Sequence, residues 1–104
     1  MGEWSEVAKS TEIPDGQCKS VTVDDRMLAV INLGGDYYAI DNVCTHDYAE
    51  LCDGMILGDR IQCPLHGAQF NIRTGAVESP PAYEPLKTYP VRVEADAVLV
   101  MARD

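Results

Sequence analysis

No stretch of this sequence approaches the roughly 20 consecutive apolar residues that span a bilayer. Its opening residues, MGEWSEVAKS, lack the basic start and apolar core of a secretory signal. Met1-Gly2 is not followed by the Ser or Thr that N-myristoylation takes at position six; Glu6 stands there. A cytoplasmic location is therefore expected, and in that compartment cysteines serve as ligands or free thiols more often than as disulfides. Basic residues are scarce as well, with 8 Lys and Arg against 17 Asp and Glu and a formal net charge of -9. Nucleic acid and anionic membrane are poor partners for such a chain, because both need a basic face. Basic protein surfaces are better ones.

Sustained 3.6-residue periodicity is missing, as are repeats, low-complexity segments and linkers. What remains is short alternating runs separated by turns, in a chain of 104 residues, the length of one domain. QCKSVTV (17–23) and RMLAVINL (26–33) flank Asp24-Asp25, a hairpin signature, and DYYAIDN (36–42) follows Gly34-Gly35. RIQC (60–63), QFNI (69–72), LKTYPVRVE (86–94) and AVLVMA (97–102) complete the predicted strands, the last two as a closing hairpin. Ile13-Pro14-Asp15-Gly16 and Arg73-Thr74-Gly75 carry turn chemistry, and THDYAEL (45–51) has room for one helical turn. The expected fold is all-β, a single antiparallel sandwich or partly closed barrel.

Histidine is scarce. There are two, His46 and His66, each within three residues of a cysteine, as Cys44-Thr45-His46 and Cys63-Pro64-Leu65-His66. Both pairs fall on loops between predicted strands, where a rigid scaffold carries site chemistry. Four soft or borderline ligands suit zinc or an iron–sulfur site. Zinc fingers bring like pairs, two cysteines from one turn and two histidines from one helix, whereas each loop here offers one of each. A two-iron cluster accounts for the mixture: both cysteines on one iron and both histidines on the other, as in a Rieske [2Fe–2S] centre. A structural zinc module, or a metal-free one, is the competing class.

With CTH at 44–46 and CPLHG at 63–67, the chain resembles the Rieske-type ferredoxins, and the similarity extends through QFNIRTG (69–75) to Pro80-Pro81. The resemblance implies that Cys44 and Cys63 hold the buried iron and His46 and His66 the exposed one. It implies a Rieske-like β-sandwich or barrel base with a small cluster-binding subdomain made of two loops, about residues 43–82, and a third loop near Pro80-Pro81 shielding the cluster. Two departures from the respiratory members matter. The loop-bracing disulfide of those proteins cannot form, because Ala49 and Leu65 stand at its positions. Their serine after HG and tyrosine two residues later, both donors to sulfur, are Ala68 and Phe70 here. Fewer donors mean less stabilisation of the reduced state, which places the expected potential at the low end of the Rieske range, on the order of −150 mV.

That pattern is most similar to the ferredoxin components of bacterial aromatic ring-hydroxylating dioxygenase systems. The implied role is a one-electron carrier, not an enzyme, between an NAD(P)H-dependent flavoprotein reductase and a terminal oxygenase, with no organic substrate and no catalytic residue of its own. The small Rieske-like subunit of an assimilatory nitrite reductase is the alternative. Asp47, Glu50, Asp53 and Asp59 outnumber Arg60 within residues 44–67 and form a candidate acidic collar for basic partners. Gly67 is expected to allow a tight turn, Trp4 to pack near the N-terminus, and Cys18 to be a small buried hydrophobe. Cys52 has no evident partner.

Overall fold

The computed structural model describes residues 4–43, 50–64, 67–79 and 84–101. Its strands are β1 (Ser5–Lys9), β2 (Cys18–Val23), β3 (Arg26–Leu33), β4 (Asp36–Asp41), β5 (Met55–Leu57), β6 (Arg60–Gln62), β7 (Gln69–Asn71), β8 (Val77–Ser79), β9 (Thr88–Tyr89), β10 (Val91–Glu94) and β11 (Ala97–Val100). They make three antiparallel sheets, ordered β1-β11-β10, β2-β3-β4-β9 and β5-β6-β7-β8. Helix is limited, among the described residues, to two 3₁₀ turns, Ser10–Glu12 and Leu51–Asp53. No helix there is long and apolar enough to cross a membrane.

Turn chemistry sets the registers. Asp24 and Asp25 both take positive φ (50° and 64°) between Val23 and Arg26, the two-residue geometry whose twist matches that of the strands. Gly34 and Gly35 do the same between Leu33 and Asp36. Because side chains alternate across a strand, the continuous apolar run of β3 serves two cores. Leu28 and Val30 join Ile13, Val98 and Val100 between the two base sheets, whereas Ala29 and Ile31 join Leu51, Ile61, Phe70 and Ile72 beneath the third sheet. A run without polar alternation is what a strand buried on both faces requires.

The closing hairpin was expected over 86–94 and 97–102. β10 and β11 do pair, but the first segment divides at Pro90: β9 pairs with β4 (Ile40 opposite Thr88), while β10 belongs to the other base sheet. Proline cannot donate to a ladder, so the strand changes sheets where it stands. β4 and β9 lie side by side, with the Asp41 N–H donating to the Lys87 carbonyl at 3.0 Å. The chain between them makes the third sheet and returns. β1, β5 and β8 were not anticipated. Of the helical turn expected in THDYAEL, residues 45–49 lie outside the described part, and a 3₁₀ turn begins at Leu51.

Candidate metal centre

Cys63 follows β6 and is 1% exposed, with Leu51, Ile61, Ala68 and Phe70 in the same core. Its N–H donates to the Ala68 carbonyl at 2.7 Å, and its carbonyl accepts from the Gly67 N–H at 3.3 Å. The 63–68 segment thus closes on itself, with Gly67 in the left-handed region (φ 78°), as its expected tight turn requires. Pro64, exposed, stands at the outer side of this turn. A free thiol at the root of a closed loop is the donor a soft metal takes.

Of the other expected ligands, Cys44, His46 and His66 lie outside the described residues, as do Asp47 and Pro80-Pro81. Accordingly, no group of three or more His, Cys, Asp or Glu side chains comes together among the described ones. What is described is the footing of the first loop. Val43 and Glu50 form an isolated antiparallel bridge, so the chain that leaves at Val43 comes back beside itself at Glu50. The Leu51 N–H donates to the Asn42 carbonyl at 2.7 Å, and the Cys52 N–H to the Asn42 Oδ1 at 3.0 Å. Asn42 Nδ2 donates to Ser20 Oγ at 2.9 Å and to Glu50 Oε1 at 3.1 Å. The turn that follows touches the end of β6. A Cβ built on Gly54 would overlap the Gln62 carbonyl, so that turn rests on the residue before Cys63.

Two expectations about cysteine are corrected here. Cys52 does have a partner: it forms a disulfide with Cys18, with 5.4 Å between their Cα atoms. Cys18, expected as a small buried hydrophobe, is half-buried at the start of β2 and packs against the core that holds Cys63. The preference for free thiols failed because β2 runs beneath the 51–53 turn, a proximity that 34 residues of separation conceal. Trp4 also differs from its expected packing role. It is 37% exposed, and the Arg92 guanidinium lies 5.1 Å from its ring centroid.

The acidic collar is thinner than its composition suggested. Asp53 and Asp59 are exposed, but the Glu50 carboxylate is turned inward to Asn42 and Ser20. Arg60 faces Glu78 at 3.8 Å, a half-exposed pair of small energetic weight. Ala68 and Phe70 are fully buried and offer no side-chain donor.

The described residues thus define the class as an all-β protein of three antiparallel sheets with a free, buried thiol where the chain leaves β6. The chain belongs to the Rieske [2Fe-2S] domain family, which matches residues 3–90. The ferredoxin component of a naphthalene 1,2-dioxygenase system from Pseudomonas aeruginosa is 39% identical over 98 residues, covering 94% of each chain. The biphenyl dioxygenase ferredoxin subunit of Pseudomonas sp. (strain KKS102) is 43% identical over 90 residues, covering 86% of this chain and 83% of that one. Among solved structures, a chain from the complex of reduced oxygenase and oxidised ferredoxin in carbazole 1,9a-dioxygenase superposes with a TM-score of 0.89. That chain is 36% identical, with 94% of this chain and 92% of that one covered. The family's cofactor, a Rieske-type [2Fe–2S] cluster, is the one this fold implies.

Proposed function

We propose that this chain is the ferredoxin component of an aromatic-ring dioxygenase system. It carries electrons singly from an NAD(P)H-dependent flavoprotein reductase to a terminal oxygenase and turns over no organic substrate itself. The observation that carries this reading is similarity over most of the chain to ferredoxin components of such systems, joined to a free, buried Cys63 at the second ligand position. Kinship with a chain of an oxygenase–ferredoxin complex supports the oxygenase as partner. The reductase is inferred from what a ferredoxin in such a system must receive. These relatives lend nothing to the alternative, a subunit of assimilatory nitrite reductase.

In this reading Cys44 and Cys63 hold one iron, and His46 and His66 hold the other. Residues 43–82 form the cluster-binding unit, resting on the sandwich of the remaining strands. When bound, the cluster supplies a one-electron couple. The chain's own part is to seal Cys63 among Leu51, Ile61 and Phe70, which keeps water from the sulfur side. An interface under about 1,200 Å² suits a carrier that must leave each partner quickly. A cytoplasmic setting accords with the NAD(P)H-dependent donor.

The test is metal and acid-labile sulfide analysis with an EPR spectrum of the reduced protein, on the native chain and on His46→Ala. About two irons and two sulfides per chain with an axial Rieske spectrum are expected, the spectrum being lost in the variant. An unchanged spectrum in His46→Ala removes that ligand. A zinc-containing, colourless protein removes the proposal.

A further inference from the structure

Asn42 is fully buried, one of two buried polar side chains among the described residues, and it stands two positions before Cys44 in the sequence. Its neighbour in that respect, Asn32, serves the other end of β3, where Nδ2 donates to the Ile13 carbonyl at 2.8 Å. Burying an amide is unfavourable unless its hydrogen-bonding groups are met. At Asn42 every one of them is met, and the partners share a direction. Its N–H donates to the Met27 carbonyl at 3.0 Å, fixing it to β3. The side chain and carbonyl face the limb that returns from the first loop, meeting Glu50, Leu51 and Cys52, while Nδ2 also reaches Ser20 on β2.

That limb in turn reaches the second loop. Leu51 is buried in the same core as Cys63, and Gly54 lies against the carbonyl of Gln62. The limb that Asn42 holds, which is also bridged to Val43 and tied to β2 by the Cys18–Cys52 bond, therefore lies between the two loop roots, at Val43 and at Gln62–Cys63. We propose that Asn42 is the positioning residue of the metal centre: through Glu50–Cys52 it fixes the spacing between the loop that follows Val43 and the loop that begins at Cys63. This rests on the ligand assignment given above. Asn42 touches no ligand side chain among the described residues; it acts through the backbone that carries them.

A residue needed only for folding would lower stability and leave the centre unchanged. A positioning residue alters the centre's signature. The test therefore uses the loaded protein with Asn42→Leu, which keeps the branching of the side chain and removes its hydrogen bonds but not those of the backbone, Asn42→Ala, and Ser20→Ala, which removes one acceptor. Asn32→Ala is the control, a buried asparagine lost away from this limb. The Cys18–Cys52 bond still ties the limb to β2 in every variant, which guards the fold.

The readouts are the g values of the reduced protein, the midpoint potential and the rate of iron loss to a chelator. Asn42→Leu and Asn42→Ala are expected to shift the g values and potential and to lose iron about tenfold faster or more, as removal of outer-shell support does elsewhere. Ser20→Ala should follow with smaller changes. Asn32→Ala should lower the melting temperature yet keep the parent's spectrum, potential and iron-loss rate. Failure of the Asn42 variants to load while Asn32→Ala loads normally also supports the proposal. Parental values in both Asn42 variants overturn it alone, whereas a native chain without labile sulfide overturns the ligand assignment as well.

Discussion

Opening the Cys18–Cys52 bond is the perturbation whose size the structure sets most directly. The bond joins β2 to the 51–53 turn across 34 residues, so it forbids the unfolded chain a large set of conformations. For a loop of that length the lost entropy corresponds to about 3.8 kcal/mol of stability at 25 °C. A chain of this size gains about 0.22 kcal/mol per kelvin in entropy on unfolding, so the loss lowers the melting temperature by about 17 °C. The assay compares the parent with Cys18→Ser/Cys52→Ser, both fully loaded, by calorimetry or thermal circular dichroism. A thiol titration of denatured, unreduced, metal-free protein accompanies it, and only two of the chain's four cysteines should react. A change in melting temperature below about 3 °C, or four reactive thiols, refutes the reasoning.

Ala68→Ser should raise the midpoint potential from its expected region on the order of −150 mV by about 60 mV, if a hydroxyl donated to the centre is worth about 1.5 kcal/mol. Potentiometry that finds no shift would mean that position 68 does not face the centre. Burial first, and then the 2.6 Å hydrogen bond to Asp41, raise the Tyr89 phenol above its ordinary value of 10.0. The folded state therefore holds that proton more tightly than the unfolded one. Stability from this source is complete below pH 10 and falls as pH rises toward the elevated folded value. Tyr89→Phe should cost about 1 to 2 kcal/mol near neutrality and flatten the alkaline decline in urea melts; an unchanged alkaline slope would count against it. Electron transfer to a basic partner face should slow as salt rises, because Asp53 and Asp59 remain exposed, and a flat stopped-flow profile would dismiss steering.

Much of the scaffold was readable because local chemistry settles it. Asp24-Asp25 and Gly34-Gly35 mark hairpins by their tolerance of positive φ, and the long apolar run of β3 could only be a strand. The strands that escaped are those whose existence depends on a partner. β5 and β8 have three residues each, too few to show a period, and β1 (SEVAK) is defined by pairing with β11. Pro90 was visible, but its effect depends on which sheet lies on either side. At the centre, Cys63 was legible as a thiol beside a histidine on a loop. Asn42 was not, since an asparagine closing a strand reads as turn chemistry. The Cys18–Cys52 link was hidden for a related reason: connectivity is a property of the folded path, and spacing does not reveal it.

The adjacency of β4 and β9 has a consequence for how this molecule can be rebuilt. The chain leaves the sandwich after β4 and re-enters it at β9, at neighbouring ladder positions, Ile40 opposite Thr88. The excursion thus joins the sandwich at two chain positions that lie side by side and, through the Cys18–Cys52 bond, at β2. A different excursion can be spliced between the same two strands without rethreading either base sheet, provided it brings an apolar underside for Ala29, Ile31 and Ile40. Any replacement must therefore satisfy the base at that shared core and at Cys18.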